Sequence, residues 1–368
     1  MVNGEALLRV SHIEINGRKI GPGFGVYIVA ELSANHRQRF DEAVELVKTA
    51  KDIGADAVKL QTFTPDTITI QHDAPEFRVS AGTVLDGRTL YDLYSEAYMP
   101  WEWQPKLKKI ANDLGIDLFS TPFDKTAVDF LEGMDMPAYK VASPEIVDIP
   151  LIEYIASKGK PLIISTGMAK LDEIDEAIRV AQSAGAEQIA LLKCTSSYPA
   201  LPEEMNLRAI PYFGERFRVP VGLSDHTLEL AVPAAAVALG ACILEKHLTL
   251  SRSNPSPDSS FSLQPDEFKT TVDMIRTIES ALGEVEYQPS EREARVRAYR
   301  RSLFVVKDMK AGEVFTVENV RSIRPGNGLH PRYLKDVLGH KARRDISRGT
   351  PLSWESVALD LGNNARSY

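Results

Sequence analysis

The sequence predicts an α/β fold: a (β/α)8 TIM barrel with an N-terminal hairpin, followed by a small C-terminal domain. Three observations predict it. Eight strand-like segments alternate with eight helix-like segments over roughly 250 residues, the size and rhythm of a closed parallel barrel. No glycine-rich dinucleotide fingerprint follows the first of these strands, which disfavours a doubly wound open sheet. The rhythm stops near Gly283, and short strands, turns, glycine and proline take over.

The elements follow in order. RVSHIEINGRKIGPG alternates about Asn16-Gly17, a favoured two-residue hairpin turn. GVYIVAEL (25–32) is the first barrel strand. Residues 40–53 place Ala43, Val44, Val47 and Ala50 on one helical face. AVKLQTF (57–63) is the second strand, and a polar and aromatic insertion (64–99) separates it from the helix WEWQPKLKKIANDLG. DLFSTPF (117–123), AYKVAS (138–143) and PLIISTG (161–167) come next, each with a helix behind it. QIALLKCTSSYP (188–199) precedes a shorter helix near 203–213, and RVPVGLSDH (218–226) precedes an alanine-rich helix. CILEKHLTL (242–250) precedes the last barrel helix, PDEFKTTVDMIRTIESALG. These boundaries give a barrel over 1–285, a charged linker over 286–300 and a small domain over 301–368. Within the last, KDMKAGEVFTVENV and RDISRGTPLSWESV align at one offset: Asp308 with Asp345, Gly312 with Gly349, Glu318 with Glu355, Val320 with Val357. Two copies of one unit imply pseudo-two-fold symmetry.

Composition narrows the function. The 368 residues are 43% hydrophobic and 26% charged, as in an ordinary globular protein. A net charge of −8 argues against a nucleic-acid partner, although a pocket can be locally basic. Cys194 and Cys242 give no disulfide framework and point to a reduced compartment. No apolar run is long enough for a membrane span, and the N-terminal stretch lacks a signal-peptide core. The expectation is a cytoplasmic protein.

Barrel chemistry sits at the C-terminal ends of the strands. Here those ends carry Glu31, Ser33, Asn35 and His36; Lys59 and Gln61; Ser120 and Thr121; Lys140, Ser143 and Glu145; Ser165, Thr166 and Gly167; Lys193 and Thr195 to Tyr198; Ser224, Asp225 and His226; Glu245 and His247. Polar groups at all eight ends are costly to bury without a task. Lysines with small hydroxyls suit a phosphate or carboxylate. The same lysines can instead pair with barrel glutamates, and composition leaves both readings open. Of seven histidines, His226 ends the seventh strand and His247 lies on the eighth. The alanine-rich helix between them is the crossover that brings both imidazoles to one mouth. They fit a catalytic divalent metal or two satisfied polar-mouth histidines, since no short ligand motif is present. Cys194 and Cys242 read as small core residues. The segment SRSNPSPDSS (251–260) reads as a loop beside the mouth, with Asp258 its one carboxylate.

AELSANH, AVKLQT, FSTPF, AYKVASPE, ISTGM, LLKCTSSYP, GLSDHT, EKHLT, PSPD and RPGNG stand in the order in which the sialic acid synthase family carries them. The sequence resembles that family over most of its length, and its C-terminal domain resembles the antifreeze-like SAF domain. Within the family, ELSANH and TLYDLYSEAYMPWEWQPKL (89–107) look like the pseudaminic acid branch. The resemblance implies condensation of phosphoenolpyruvate with an amino sugar, for that branch 2,4-diacetamido-2,4,6-trideoxy-L-altrose. Legionaminic acid or N-acetylneuraminate synthesis is the alternative. A 3-deoxy sugar-phosphate synthase and a non-catalytic carbohydrate-binding protein are the readings outside the family.

The same resemblance implies roles for single residues. His226 and His247 match its metal ligands, for Mn²⁺ ahead of Mg²⁺ or Co²⁺. Lys59, Thr121, Lys140, Ser143, Ser165 and Ser224 match positions around phosphoenolpyruvate. Glu31, Gln61, Glu145, Tyr198 and Asp258 match positions near the metal and the sugar, with Glu145 favoured over Glu31 as the group that activates water. Arg324, in RPGNG, matches an arginine that the SAF domain inserts into the partner barrel of a homodimer. Two places depart from the pattern. Ser196 stands where neuraminate synthases commonly have asparagine, and NHRQ replaces NH-x-G around His36.

Overall fold

The computed structural model describes residues 12–79 and 87–358; Arg9 to Ser11 of the predicted hairpin lie outside them. Two compact units divide the chain, Met1–Gly283 and Glu284–Tyr368.

Asn16 and Gly17 both adopt left-handed φ, 47° and 80°, as a two-residue hairpin turn of this hand requires. They join β1 (Ile13–Ile15) to β2 (Arg18–Ile20) antiparallel, with Ile13 opposite Ile20. Ile13, Ile15 and Ile20 are fully buried in one cluster with Val29, Phe119, Ile163, Leu192 and Ile243. The hairpin therefore plugs the N-terminal end of the barrel.

The barrel strands are β3 (Tyr27–Glu31), β4 (Ala57–Thr62), β5 (Asp117–Pro122), β6 (Tyr139–Val141), β7 (Leu162–Ser165), β8 (Ile189–Cys194), β9 (Val221–Asp225) and β10 (Ile243–His247). All neighbours are parallel, and β10 pairs with both β9 and β3 to close the ring. The predicted barrel is the observed one. Strand side chains alternate, so every second residue points inward. Along several strands these inward residues change from apolar to polar. Val29 leads to Glu31, Phe119 to Thr121, Ile163 to Ser165, and Ile243 to Glu245 and His247. The outward residues, such as Ile28, Val58, Leu223 and Leu244, pack under the helices.

Helix Phe40–Asp52 buries Ala43, Leu46, Val47 and Ala50, close to the predicted face. The alanine-rich helix covers only Ala231–Ala238 and stops before Gly240, whose φ is 99°. One prediction shifts along the chain. The segment expected to be helical over 203–213 is a short 3-10 turn, Pro202–Glu204, and then helix Ala209–Phe217. Asn206, with φ of 45°, breaks the run between them.

The second unit shows the predicted repeat at atomic detail. Val305 N–H donates to Thr350 O at 3.0 Å, and Ala342 N–H to Glu313 O at 2.8 Å. Asp308 accepts from Arg348 N–H at 2.7 Å, and Asp345 from Ala311 N–H at 2.8 Å. Both pairs are related by the offset of the sequence repeat. Met309 and Ile346 exchange backbone hydrogen bonds on the pseudo-axis. The core of this unit pairs Val305 with Ala342 and Val320 with Val357.

Candidate active site

Period-two alternation brings Glu31, Lys59, Lys140, Glu245 and His247 to the barrel interior just below its mouth. Lys59 Nζ lies 2.5 Å from Glu31 Oε2 and donates to Thr121 Oγ1 at 3.2 Å. Lys140 Nζ donates to Ser165 Oγ at 2.6 Å. Both ammoniums flank one oxygen of Glu245, at 3.7 and 3.6 Å, and Ser224 Oγ donates to the same oxygen at 3.2 Å. Burial pushes Glu31 up to about 7 against the pull of Lys59. Burial likewise opposes charge on Glu245, yet Lys140 and Lys59 outweigh it and hold that carboxyl below its usual range. Both pairings open at the sequence level are thus present: the lysines contact barrel glutamates and also face a cavity.

That cavity measures about 350 Å³. Lys59, Lys140, Ser143, Ser165 and Ser224 line its floor, and Gln61, Tyr198, Asp258, His226 and His247 its walls. Gly167 lies where a side chain has no room: a Cβ would stand 2.2 Å from Ser196 Oγ and 2.7 Å from Ser143 Oγ. Its N–H donates to Ser143 Oγ at 3.0 Å.

The histidine rings sit 5.3 Å apart, both against Phe261. His226 Nδ1 is 2.9 Å from Thr195 O. A carbonyl only accepts, so this nitrogen carries the hydrogen, and in the neutral ring Nε2 is the nitrogen with the lone pair. Burial above all holds His247 well below its ordinary pKa. Its Nδ1 lies 3.9 Å from Asp258 Oδ2 and has no hydrogen-bond partner among the described residues. A neutral imidazole with an orphaned nitrogen, beside a second imidazole held by a carbonyl, fits a divalent cation. Among the described residues no three His, Cys, Asp or Glu side chains form a closed metal cage, so such a site would leave positions for ligand oxygens.

The remaining expected residues stand elsewhere. Glu31 and Thr121 lie behind Lys59 rather than on the cavity surface. Glu145 is in the turn Pro144–Val147 after β6; its Oε2 has no hydrogen-bond partner among the described residues, and burial pushes it up to about 7. Its charge is felt by Lys140 and Tyr94, which do line the cavity. His36 is fully buried against Trp103, away from the cavity. Arg324 belongs to the second unit, just after β12 (Val320–Ile323), which pairs with β11 (Ser302–Val305).

Sequence reasoning gave Glu245 and Cys194 no role in the site. Glu245 stands two residues before His247 on one strand, so period two already put both on the inner face. Cys194 is buried as expected, but it lines the cavity with Sγ 3.9 Å from His226 Nδ1. Burial alone would raise its thiol; His226 and Lys140 bring it to about 7. Of the aromatic residues in the insertion, Tyr94 reaches the cavity. Trp101 instead donates to Phe63 O at 3.0 Å and packs on Phe130, while Trp103 packs on His36 and Phe40.

A model of the NeuB family matches residues 46–287. The chain belongs to the NeuB family. The resemblance read from its ten motifs is borne out. The SAF-domain model matches residues 300–358 of this NeuB-family chain, as expected for its second unit. The chain is 45% identical over 327 residues to pseudaminic acid synthase of Campylobacter jejuni, covering 89% of this chain and 95% of that one. It is 38% identical to N,N'-diacetyllegionaminic acid synthase of Legionella pneumophila, over 94% and 99% of the two chains. The crystal structure of a Leptospira borgpetersenii N-acetylneuraminic acid synthetase superposes with a TM-score of 0.70 at 29% identity, covering 78% of this chain and 95% of that one.

The Lys59–Glu31 pair makes a stability prediction. Lys59→Met should strand a buried carboxylate and cost about 3–5 kcal/mol at alkaline pH, read from urea unfolding. Adding Glu31→Gln should recover much of that loss. The deficit should be largest at alkaline pH and shrink as pH falls toward about 7, because Glu31 without Lys59 takes up its proton at a higher pH than Glu31 of the wild type. A deficit independent of pH would contradict the pairing.

Proposed function

We propose that this chain condenses phosphoenolpyruvate with 2,4-diacetamido-2,4,6-trideoxy-L-altrose, giving pseudaminic acid and phosphate. The observation that carries the reading is a single cavity with two chemistries: a lysine and hydroxyl floor beneath a pair of histidines. The choice of sugar is supported by 45% identity to a pseudaminic acid synthase against 38% to a legionaminic acid synthase. Legionaminic acid or N-acetylneuraminate synthesis is the second reading.

Lys59 and Lys140 would hold the anionic substrate, with Ser143, Ser165 and Ser224 donating hydrogen bonds and Thr121 steering Lys59. Positioning two substrates in one cavity supplies up to roughly 7–11 kcal/mol of a barrier in good cases. Gln61, Tyr198 and Asp258 line the side where the sugar would sit. His226 and His247 would hold the divalent ion, Mn²⁺ ahead of Mg²⁺ or Co²⁺. When bound, that ion supplies Lewis-acid polarisation of the sugar aldehyde. Attack by C3 of phosphoenolpyruvate leaves a cation at C2, which must take up water before phosphate departs. Glu145 would accept the proton of that water. Glu31 is tied to Lys59 in an ion pair at 2.5 Å, whereas Glu145 forms no ion pair among the described residues, which favours Glu145 for the role. In this proposal the working unit is a cytoplasmic homodimer, in which Arg324 of one copy closes the other copy's barrel. The family resemblance supports that part, and two free cysteines fit a reduced compartment.

Phosphate release tests the reaction. With the diacetamido altrose, the legionaminic precursor and N-acetylmannosamine in parallel, turnover should appear with the altrose and vanish on chelation. Turnover with another sugar alone would transfer the chain to the second reading; turnover that survives complete chelation would remove the metal. Glu145 adds a pH signature. As a base it must be ionised, so kcat/KM should rise with pH through about 7 and level off above it. Glu145→Gln should lose roughly 10²–10⁴-fold in rate and lose that inflection. A variant with wild-type rate would take the role away from Glu145.

A further inference from the structure

We infer that Glu245 positions Lys59 and Lys140 for the anionic substrate and competes with that substrate for them, so that its charge governs how readily the anion leaves. The inference rests on the phosphoenolpyruvate reading above. Glu245 is 5% exposed, lines the cavity and stands opposite Ser224 across the β9–β10 ladder. Three donors converge on its Oε1. The Ser224 hydroxyl, at 3.2 Å, makes a hydrogen bond. The Lys140 and Lys59 ammoniums, at 3.6 and 3.7 Å, are too far to do so.

The lysines spend their short contacts elsewhere. Lys140 donates to Ser165, and Lys59 to Thr121 with Glu31 beside it. Glu245 thus attracts both ammoniums without occupying their N–H groups. A buried pair with a purely structural task looks different. Lys246 Nζ on the outer barrel face donates to Asp225 Oδ2 at 2.6 Å and to Thr227 O at 2.5 Å, and neither Lys246 nor Asp225 lines the cavity.

Charge balance gives the spacing its consequence. Two lysines face two glutamates, so the floor is close to neutral before an anion arrives. Glu31 is fully buried at contact distance from Lys59 and lies off the cavity surface. Glu245 is the member of the pair that shares the cavity with the ligand. Its carboxylate keeps two ammoniums together, and it weakens their hold on any anion between them. Like-charge repulsion of this kind acts over several ångströms in a partly dry site. The gain is release of phosphate and of an acidic product after each turnover.

Glu245→Gln removes the charge and keeps the size and the acceptor for Ser224. Full-length variant protein should bind phosphoenolpyruvate and inorganic phosphate about tenfold more tightly by isothermal titration, as expected from removing one nearby charge. In steady state KM for phosphoenolpyruvate and kcat should both fall, the split that slower anion release gives and a loosened floor does not. Glu245→Asp withdraws the charge by one methylene and should tighten both anions less; it carries the test if the glutamine variant does not fold. Unchanged or weaker binding of both anions by either folded variant would overturn the inference. Wild-type protein that binds phosphate but not phosphoenolpyruvate would overturn the substrate reading instead, and the Glu245 effect would still be read on phosphate.

Discussion

The buried contact between Lys59 and Glu31 is the constraint on which the site depends. Charges taken out of water are costly, and they persist where geometry and partners compensate them. Here Glu31 accepts from the Ser33 N–H at 3.0 Å and meets Lys59 at 2.5 Å. Lys59 then faces Glu245, and Glu245 faces Lys140, so one pair extends into a layer of alternating charge across the barrel. The layer is possible because the inner face below it is dry and apolar. The hairpin isoleucines close that lower end. The charged layer is therefore solvated from one direction, the mouth, where an anion would arrive.

Much of this was legible in the sequence, for a stated physical reason. Parallel barrel strands show one face inward with period two, so the last inward positions of AVKLQTF, AYKVAS and CILEKHLTL had to meet. That rule placed Lys59, Lys140 and His247 together, and it also contained Glu245, which lay unused two residues before His247. The repeat of the second unit was visible because Asp308 and Asp345 do the same task twice, each accepting a backbone N–H from the other copy of the unit. What stayed hidden depends on rotation and reach rather than on period. Cys194 belongs both to the core and to the cavity, and nothing in LLKCTSS separates the two. Tyr94, Trp101 and Trp103 lie within ten residues of one another, yet Tyr94 turns to the cavity while Trp101 and Trp103 pack against Phe130 and against His36 and Phe40. Asn206 moved a helix by adopting a left-handed conformation that asparagine tolerates and the helical pattern does not announce.

Three histidines show how the fold separates roles among chemically similar groups. His36 is buried beside Trp103, and burial takes its pKa down to about 4. It packs. His226 has one nitrogen fixed on a backbone carbonyl, and both His226 and His247 line the cavity, as His36 does not. Similar imidazoles thus divide into a packing group and a pair open to a ligand, according to which barrel face each side chain enters.

The central claim is that the layer of lysines and glutamates makes the cavity a receptor for phosphoenolpyruvate. Isothermal titration of phosphoenolpyruvate into the wild-type chain and into Lys140→Met tests it most directly. The account predicts saturable binding of one phosphoenolpyruvate per chain, lost in the variant while its fold is retained. Equal binding by both proteins, or none by the wild type, would contradict it.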